Sequence, residues 1–357
     1  MSTTAVIEQI LDLARWAPSG DNTQCWRFEI VDAGHVVVHG SDTRDHCVYD
    51  LDGHPSQISI GTLLETMAIA ATAHGLRADA VRRPDSDERH PLFDVRFVAD
   101  PGVVASPLID TITVRSVQRR PMSKRALTAG EKLALEQSVG PDYTVMWLEG
   151  TRLKLQAARL MYDNAKLRLT MPEAYEVHRA IIEWNARFSE DRVPDQALGV
   201  DAVTLKIMHW GMKSWSRLSK MNAVLGTWGA RAQMDFLPGI ACGAHFVIKG
   251  VRQPQDIDDY VAAGRAVQRF WLTLTKLDLC MQPELTPLIF SSYVKKGIRF
   301  TKLAHVQAAA AHLQGKLADL VDTGAGHPVY MGRLGAGPMP TARSVRRPLA
   351  ALMTKSE

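Results

Sequence analysis

The sequence predicts an α+β fold in which one chain of 357 residues carries two related halves, with a helical segment inserted into the second. Three observations lead there. Residues 61–76 align without gaps to residues 264–279, matching at the first glycine, at Thr72 and Thr275 and at the last leucine, and keeping the apolar positions between. Self-similarity at a fixed offset is a fold-level signal. Stretches of helix-like and of strand-like pattern both occur along the chain. Finally, residues 151–235 have no counterpart in the first half and contain Trp184, Trp210, Trp215 and Trp228, which reads as an inserted helical lid.

The elements follow in order. Val6, Ile10, Leu11, Leu13 and Ala14 recur at helical spacing until Pro18-Ser19-Gly20 breaks the pattern, so a first helix is expected over 4–17. Residues 26–31 and 35–39 read as strands joined through Asp32-Ala33-Gly34. From Ser56 apolar residues run almost unbroken to Ala71, and Gly75 stands where a helix would stop. A helix this apolar is expected to be buried on most sides. Within the insert, residues 189–195 are polar and are expected to form a loop, while most of the tryptophans are expected only to pack helices together. Residues 327–333 read as a closing strand, followed by a Gly/Pro loop and a basic tail.

Composition narrows the function classes. A hydrophobic fraction of 46% supplies an ordinary core without disulfides or metal, and a net charge of +4 is too small and too dispersed to build a nucleic-acid surface. Cys25, Cys47, Cys242 and Cys280 lie far apart with no Cys-x-x-Cys pair, so they are expected to be reduced thiols of core or pocket. The amino-terminal residues lack the pattern of a signal peptide, and the most apolar window, 58–73, is interrupted by Glu65 and too short to span a bilayer. A cytoplasmic protein with no membrane and no nucleic-acid partner is expected.

Several catalytic motifs are absent: there is no phosphate-binding Gly-x-x-x-x-Gly-Lys loop, no Gly-x-Ser-x-Gly elbow and no His-Glu-x-x-His. Gly324, Gly326, Gly332, Gly335 and Gly337 have no helix after them and read as turn glycines. His35 with His39, and His305 with His312, lack a third ligand, so no metal is expected. Two basic segments do repeat, residues 115–121 and 343–348; read alone they equally suit a solvated surface. The distinctive segment is 17–28, Ala-Pro-Ser-Gly-Asp-Asn-Thr-Gln-Cys-Trp-Arg-Phe, whose Ser19, Asn22 and Gln24 are short hydrogen-bonding groups on a loop backed by Trp26 and Phe28.

That segment resembles the Ala-Pro-Ser-x-x-Asn-x-Gln-Pro-Trp-x-Phe signature of the flavin-dependent nitroreductase superfamily, with Cys25 in place of the proline. Residues 115–122 are similar to the superfamily's Arg-x-Ser-x-Arg/Lys-x-Phe segment, with serine at 116 and Met122 at the aromatic position, and Arg346-Arg347-Pro348-Leu349 resembles its basic carboxyl-terminal end. The Pro-Ser segment preceding the arginine segment, together with the helix echo, resembles the Acg-like branch, in which one chain mimics a nitroreductase dimer.

The resemblance implies a nitroreductase-like fold of halves 1–105 and 106–357 and one FMN held within a single chain, so that a monomer suffices. Its cofactor-binding residues would be Pro18, Ser19, Asn22, Gln24, Arg115, Ser116, Arg119, Gln282, Arg346 and Arg347. Arg115 and Arg346 would hold the phosphate. Arg119 would face the ring edge that gains negative charge on reduction, and Gln282 would face flavin N5. The implied activity is hydride transfer from NADH or NADPH to a small planar or aromatic acceptor. The alternatives are a flavin-sequestering protein and a biosynthetic flavin dehydrogenase on the same fold. No catalytic acid or base is assigned; His245 is the one candidate, and a structural role suits it better.

Overall fold

In a computed structural model, residues 3–322 and 324–354 are described, and they form two four-stranded antiparallel sheets with a pair of helices between them. The first sheet comprises β1 (Trp26–Asp32), β2 (His35–Gly40), β3 (Leu76–Arg82) and β4 (Leu92–Ala99) in the order β1-β2-β4-β3. The second comprises β5 (Tyr143–Leu148), β6 (Ala244–Gly250), β7 (Leu279–Pro283) and β8 (His327–Ala336) in the order β5-β6-β8-β7. The two orders are the same, and two of the helical connections correspond. In each, a helix precedes the first strand: α1 (Thr3–Ala14) and α3 (Ala129–Ser138). In each, a long helix joins the second strand to the third: α2 (His54–Ala71) and α8 (Ile257–Lys276).

These two long helices contain the echoed segments, and they cross at the echoed glycines. A Cβ on Gly61 would lie 2.0 Å from the carbonyl oxygen of Val261, and one on Gly264 would lie 2.1 Å from that of Ile58. The contact is reciprocal, each glycine meeting the carbonyl three residues before the other, so hydrogen alone fits at either position. Polar groups flank the crossing: Glu65 pairs with Arg265 and Arg269, and the Gln268 amide donates to Thr66. The near-total burial expected of α2 is observed.

One face of the first sheet, with Trp26, Phe28, Val36, Val38, Phe93 and Val95, packs on α1 and α2, while its other face is largely solvated. The second sheet is covered on both sides. Phe246 and Ile248 face α8, while Val247 and Met331 face a helical layer formed by α4 (Gly150–Thr170), α5 (Pro172–Ile181), α9 (Thr286–Lys296) and α10 (Ala304–Val321). The segment between β5 and β6 is mainly helical, as expected, and continues through α6 (Ala202–Gly211) and α7 (Trp215–Leu225).

Three local expectations change. The first helix ends at Ala14, with turns carrying the chain to Ala17. The 189–195 loop has strand character at its ends: Phe188–Ser189 pair in parallel with Arg343–Ser344, and Val193–Pro194 with Ile182–Glu183. Gly332 and Gly335 lie inside β8 instead of in turns, because their positions admit no side chain: a Cβ on Gly332 would sit 2.7 Å from the Gln282 carbonyl and one on Gly335 2.8 Å from the Gly243 amide. Gly324 and Gly326, by contrast, have the positive φ of turn glycines.

Candidate functional site

The 17–28 loop is the most conformationally constrained stretch of the chain. Asp21, Asn22 and Gln24 all have left-handed backbone, with φ of 51°, 64° and 50°. Such strain costs roughly 1–3 kcal/mol per residue and persists where surroundings over-determine it. Here the surroundings are visible. The Ser19 hydroxyl accepts from the Gln24 amide at 2.9 Å, and the Pro18 carbonyl accepts from Thr62 at 2.8 Å. Asn22 and Gln24 are buried, and their side chains hold two distant segments together. The Asn22 amide donates to the carbonyls of Arg192 and Val345, each at 3.2 Å. The Gln24 amide donates to the Glu190 carbonyl at 2.8 Å, and its oxygen accepts from the Arg347 backbone at 3.0 Å. The loop thus clasps the insert segment 189–192 against the carboxyl-terminal segment 343–347.

Beside the clasp, the two repeated basic segments converge on the end of α1. Arg115 donates to the Trp16 carbonyl at 2.9 Å and lies 4.4 Å over the Trp271 ring; Arg346 donates to the Ala17 carbonyl at 3.0 Å. Arg343 lies 5.3 Å over Trp16. Among the described residues none of these three guanidiniums has a carboxylate partner, and the buried Arg115 Nε has no hydrogen bond. Burial, opposed by Tyr330 and reinforced by Arg343, pulls the Arg115 pKa down to about 10. Arg346 is pulled well down by burial and then by Arg115, Arg343 and Arg15. Arg115 and Arg346 are buried and Arg343 is half-buried, and a group of cations lacking counter-charge in such a place is the environment that a phosphate dianion completes. Arg347 does not join it, pairing instead with Asp191 at 3.0 Å, and half-buried Ser116 makes no hydrogen bond among the described residues.

Arg119 and Gln282 come together elsewhere, as a bridge between Val117 and Met281 ties the arginine segment to the edge of β7. Both line a cavity of about 110 Å³ together with Arg168, Asp235, Glu284 and Arg333. Burial lowers the Arg119 pKa to about 10 against the opposing pull of Asp21, and burial raises Asp21 to about 6. Gln282 Oε1 and the Nε atoms of Arg168 and Arg333 are buried without partners. Such orphaned polar atoms around a cavity mark a place where a ligand or water can complete them.

Below the cavity, His245 is fully buried, with Nδ1 2.7 Å from Glu284 and Nε2 2.8 Å from the Gly239 carbonyl. Both nitrogens face acceptors. Burial alone would lower its pKa, but Glu284 and Cys242 together outweigh it and hold it up at about 10, so the ring is an imidazolium. Glu284 also receives Arg333 at 2.9 Å. His245 is therefore part of a closed structural network and not an acid or base open to substrate. His178, its pKa lowered to about 3 by burial and then by Arg168, is neutral, and its Nε2 shares a hydrogen bond of 2.9 Å with the Tyr49 hydroxyl.

The four cysteines are free thiols; burial raises Cys25 and Cys47 to about 12, too high for nucleophiles. His35 and His39 bind Asp94 and Glu29 separately, His305 and His312 are exposed on α10, and no metal-binding cluster occurs among the described residues. No helix among the described residues is long and apolar enough to cross a membrane. Sequence reasoning missed Asp21, Arg168, Asp235, Glu284 and Arg333. Asp21 lay within the 17–28 segment and Glu284 two residues after Gln282, whereas Arg168 and Asp235, paired at 3.0 Å, lie far apart within the insert and carry no motif.

No protein-family profile matches the sequence, and no curated protein does. Solved structures align to it at low similarity. One is a nitroreductase-like family protein from Bacillus cereus, at 11% identity and a TM-score of 0.35, covering 71% of this chain and 97% of that one. A second, named as a nitroreductase and solved in complex with FMN, is from Desulfovibrio desulfuricans, at 14% identity and 0.32, covering 71% and 98%. The third is the FMN-dependent nitroreductase NfnB from Mycobacterium smegmatis in complex with NADPH, at 12% identity and 0.35, covering 69% and 96%. The chain is a mixed α and β protein by its own elements, and its chemistry has to be argued from its own residues.

Proposed function

We propose that this protein is an FMN-dependent oxidoreductase of the nitroreductase type. The observation that carries the reading is the carboxylate-free cluster of buried Arg115 and Arg346 with half-buried Arg343, next to the strained Pro18–Gln24 loop. Bound FMN would supply the redox chemistry, accepting hydride from NADH or NADPH and delivering it to a small planar or aromatic acceptor. Arg115 and Arg346 hold its phosphate. Arg119, which lines the same cavity as Gln282, balances negative charge that develops on the ring, and the free Gln282 oxygen offers an acceptor there.

Both groups of residues belong to one chain, which supports a site completed in cis by halves 1–105 and 106–357 with the 151–235 insert as its lid. The cavity of about 110 Å³ is smaller than the roughly 300–1,000 Å³ of ordinary small-molecule pockets. A flavin ring needs more room than this cavity gives; release of the 189–192 segment by Asn22 and Gln24 would free those two side chains for the cofactor.

That clasp also favours a second reading, a protein that holds flavin and bars reductant. Anaerobic addition of NADH or NADPH to the flavin-loaded protein separates the two. Bleaching of the visible flavin band is the expected result, and a bound flavin that stays oxidised supports sequestration.

The arginine roles are separable as well. Arg346→Ala is expected to weaken FMN binding by roughly one to two powers of ten, the worth of a charge-assisted hydrogen bond. Arg347→Ala, which breaks only a half-exposed pair, is expected to stay within roughly fivefold of the parent. Arg119→Ala is expected to lower the flavin midpoint potential, and Arg115→Ala to weaken both redox states about equally, because the phosphate charge is unchanged by reduction. Fluorescence titration with FMN and a potentiometric titration of each variant check these outcomes.

A further inference from the structure

The helical insert turns an unusual face to solvent. Residues 202–234 contain five basic residues and no aspartate or glutamate, and four of the five, Lys206, Lys213, Arg217 and Lys220, are exposed. Along α6, Val203, Ile207 and Trp210 follow one another at helical spacing on a single stripe, with 67%, 43% and 53% of their surfaces exposed. On α7, Arg217 reaches across so that its guanidinium lies 5.5 Å from the Trp210 ring, which places it beside the apolar stripe of α6, and Lys220 follows one turn later on α7. Val224, at the end of α7, and Trp228 extend the apolar area with 82% and 67% exposure.

Apolar residues left this open beside lysine and arginine, with Asp201, the cap of α6, as the one exposed acidic residue adjoining the stretch, mark a surface meant to be covered. The charge decides by what. A two-fold contact between copies of this chain would bring the same basic residues against one another. An anionic lipid headgroup layer satisfies both components at once, receiving the basic groups at the phosphate level and the aromatic and aliphatic groups at the acyl boundary. We propose that α6 and α7 dock this protein onto an anionic lipid surface, with Val203, Ile207 and Trp210 entering the interface and Lys206, Arg217 and Lys220 at the headgroups. The helices, of 10 and 11 residues, lie on the bilayer and do not span it, since about 20 residues are needed to cross. The lack of a spanning segment, from which no membrane partner was expected, does not bear on docking of this kind.

Co-sedimentation of the full chain with phosphatidylcholine vesicles, with and without phosphatidylglycerol, tests this. The expected result is binding to the phosphatidylglycerol vesicles at low ionic strength and release at high salt. Trp210→Glu, and separately the pair Arg217→Glu with Lys220→Glu, are expected to cut the bound fraction at least roughly tenfold at the same lipid concentration. Lys124→Glu, an exposed charge reversal far from this face in sequence, is expected to leave binding intact. All these side chains are solvent-facing, so a far-ultraviolet spectrum suffices to show that the variants fold. The proposal is overturned by failure to bind anionic vesicles, by equal loss in Lys124→Glu, or by binding that the α6 and α7 variants leave unchanged. It is also overturned if the face instead mediates a concentration-dependent dimer that Trp210→Glu abolishes.

Discussion

Glu284→Gln is expected to destabilise the fold by about 3–5 kcal/mol and to reverse the sign of part of its pH dependence. In the parent, Glu284 is a buried carboxylate held between His245 at 2.7 Å and Arg333 at 2.9 Å. Burial works against its charge, but its two cationic neighbours outweigh that and keep its pKa below the usual range. The neutral amide leaves Arg333 buried without an opposing charge. His245, held at about 10 by its surroundings in the parent, then becomes a buried imidazole with no anion to protonate it for. The signs follow from linkage. With a folded pKa above the unfolded value near 6.5, His245 in the parent contributes stability that is complete below about 6.5 and is lost as pH rises toward 10. In the variant the folded pKa falls below the unfolded one, so the His245 contribution is instead lost as pH falls through about 6.5. Urea midpoints of parent and variant from pH 5 to 10 read this out. Parallel pH curves would mean that His245 is not charged in the folded protein.

Gly264→Ala is expected to destabilise by roughly 3 kcal/mol or more, at the upper end of what overpacking causes. The added methyl would lie 2.1 Å from the Ile58 carbonyl oxygen and 2.9 Å from the Gly61 Cα. Both are backbone atoms, so no side chain can rotate aside, and the two helices must separate along their whole contact. Gly61→Ala is expected to do the same by the reciprocal contact. Gly315→Ala provides a control of opposite sign: this exposed position inside α10 has no neighbour within 4 Å of a Cβ, so the substitution is expected to stabilise by about 0.5–1 kcal/mol. Thermal unfolding of the three variants distinguishes crowding at the helix crossing from a general effect of losing glycine.

The crossing also shows what the sequence could reveal. The gapless echo of 61–76 in 264–279 was readable because both helices obey the same constraint, a hydrogen-only position at each first glycine. Helix α1, the hairpin of β1 and β2, and α2 were likewise written in local periodicity. β3 and β4 were not foreseen, since their solvent-facing residues are charged and several inward ones are only alanine or valine, which blurs the alternation. At the site, Arg115 and Arg346 were legible as repeats, and they do converge on neighbouring carbonyls of the α1 end. Arg347, adjacent in sequence, faces outward to Asp191, a difference that only the backbone direction after Val345 decides. The clasp was invisible in advance because Asn22 and Gln24 bind backbone groups more than 160 residues away, and backbone carbonyls leave no trace in a sequence.

The account centres on a flavin mononucleotide whose phosphate completes the Arg115, Arg343 and Arg346 cluster, and chromatography of the chromophore released by denaturing the purified protein tests it most directly. The predicted result is a yellow protein that releases FMN; release of FAD or riboflavin, or of no flavin from protein supplied with FMN, would contradict it.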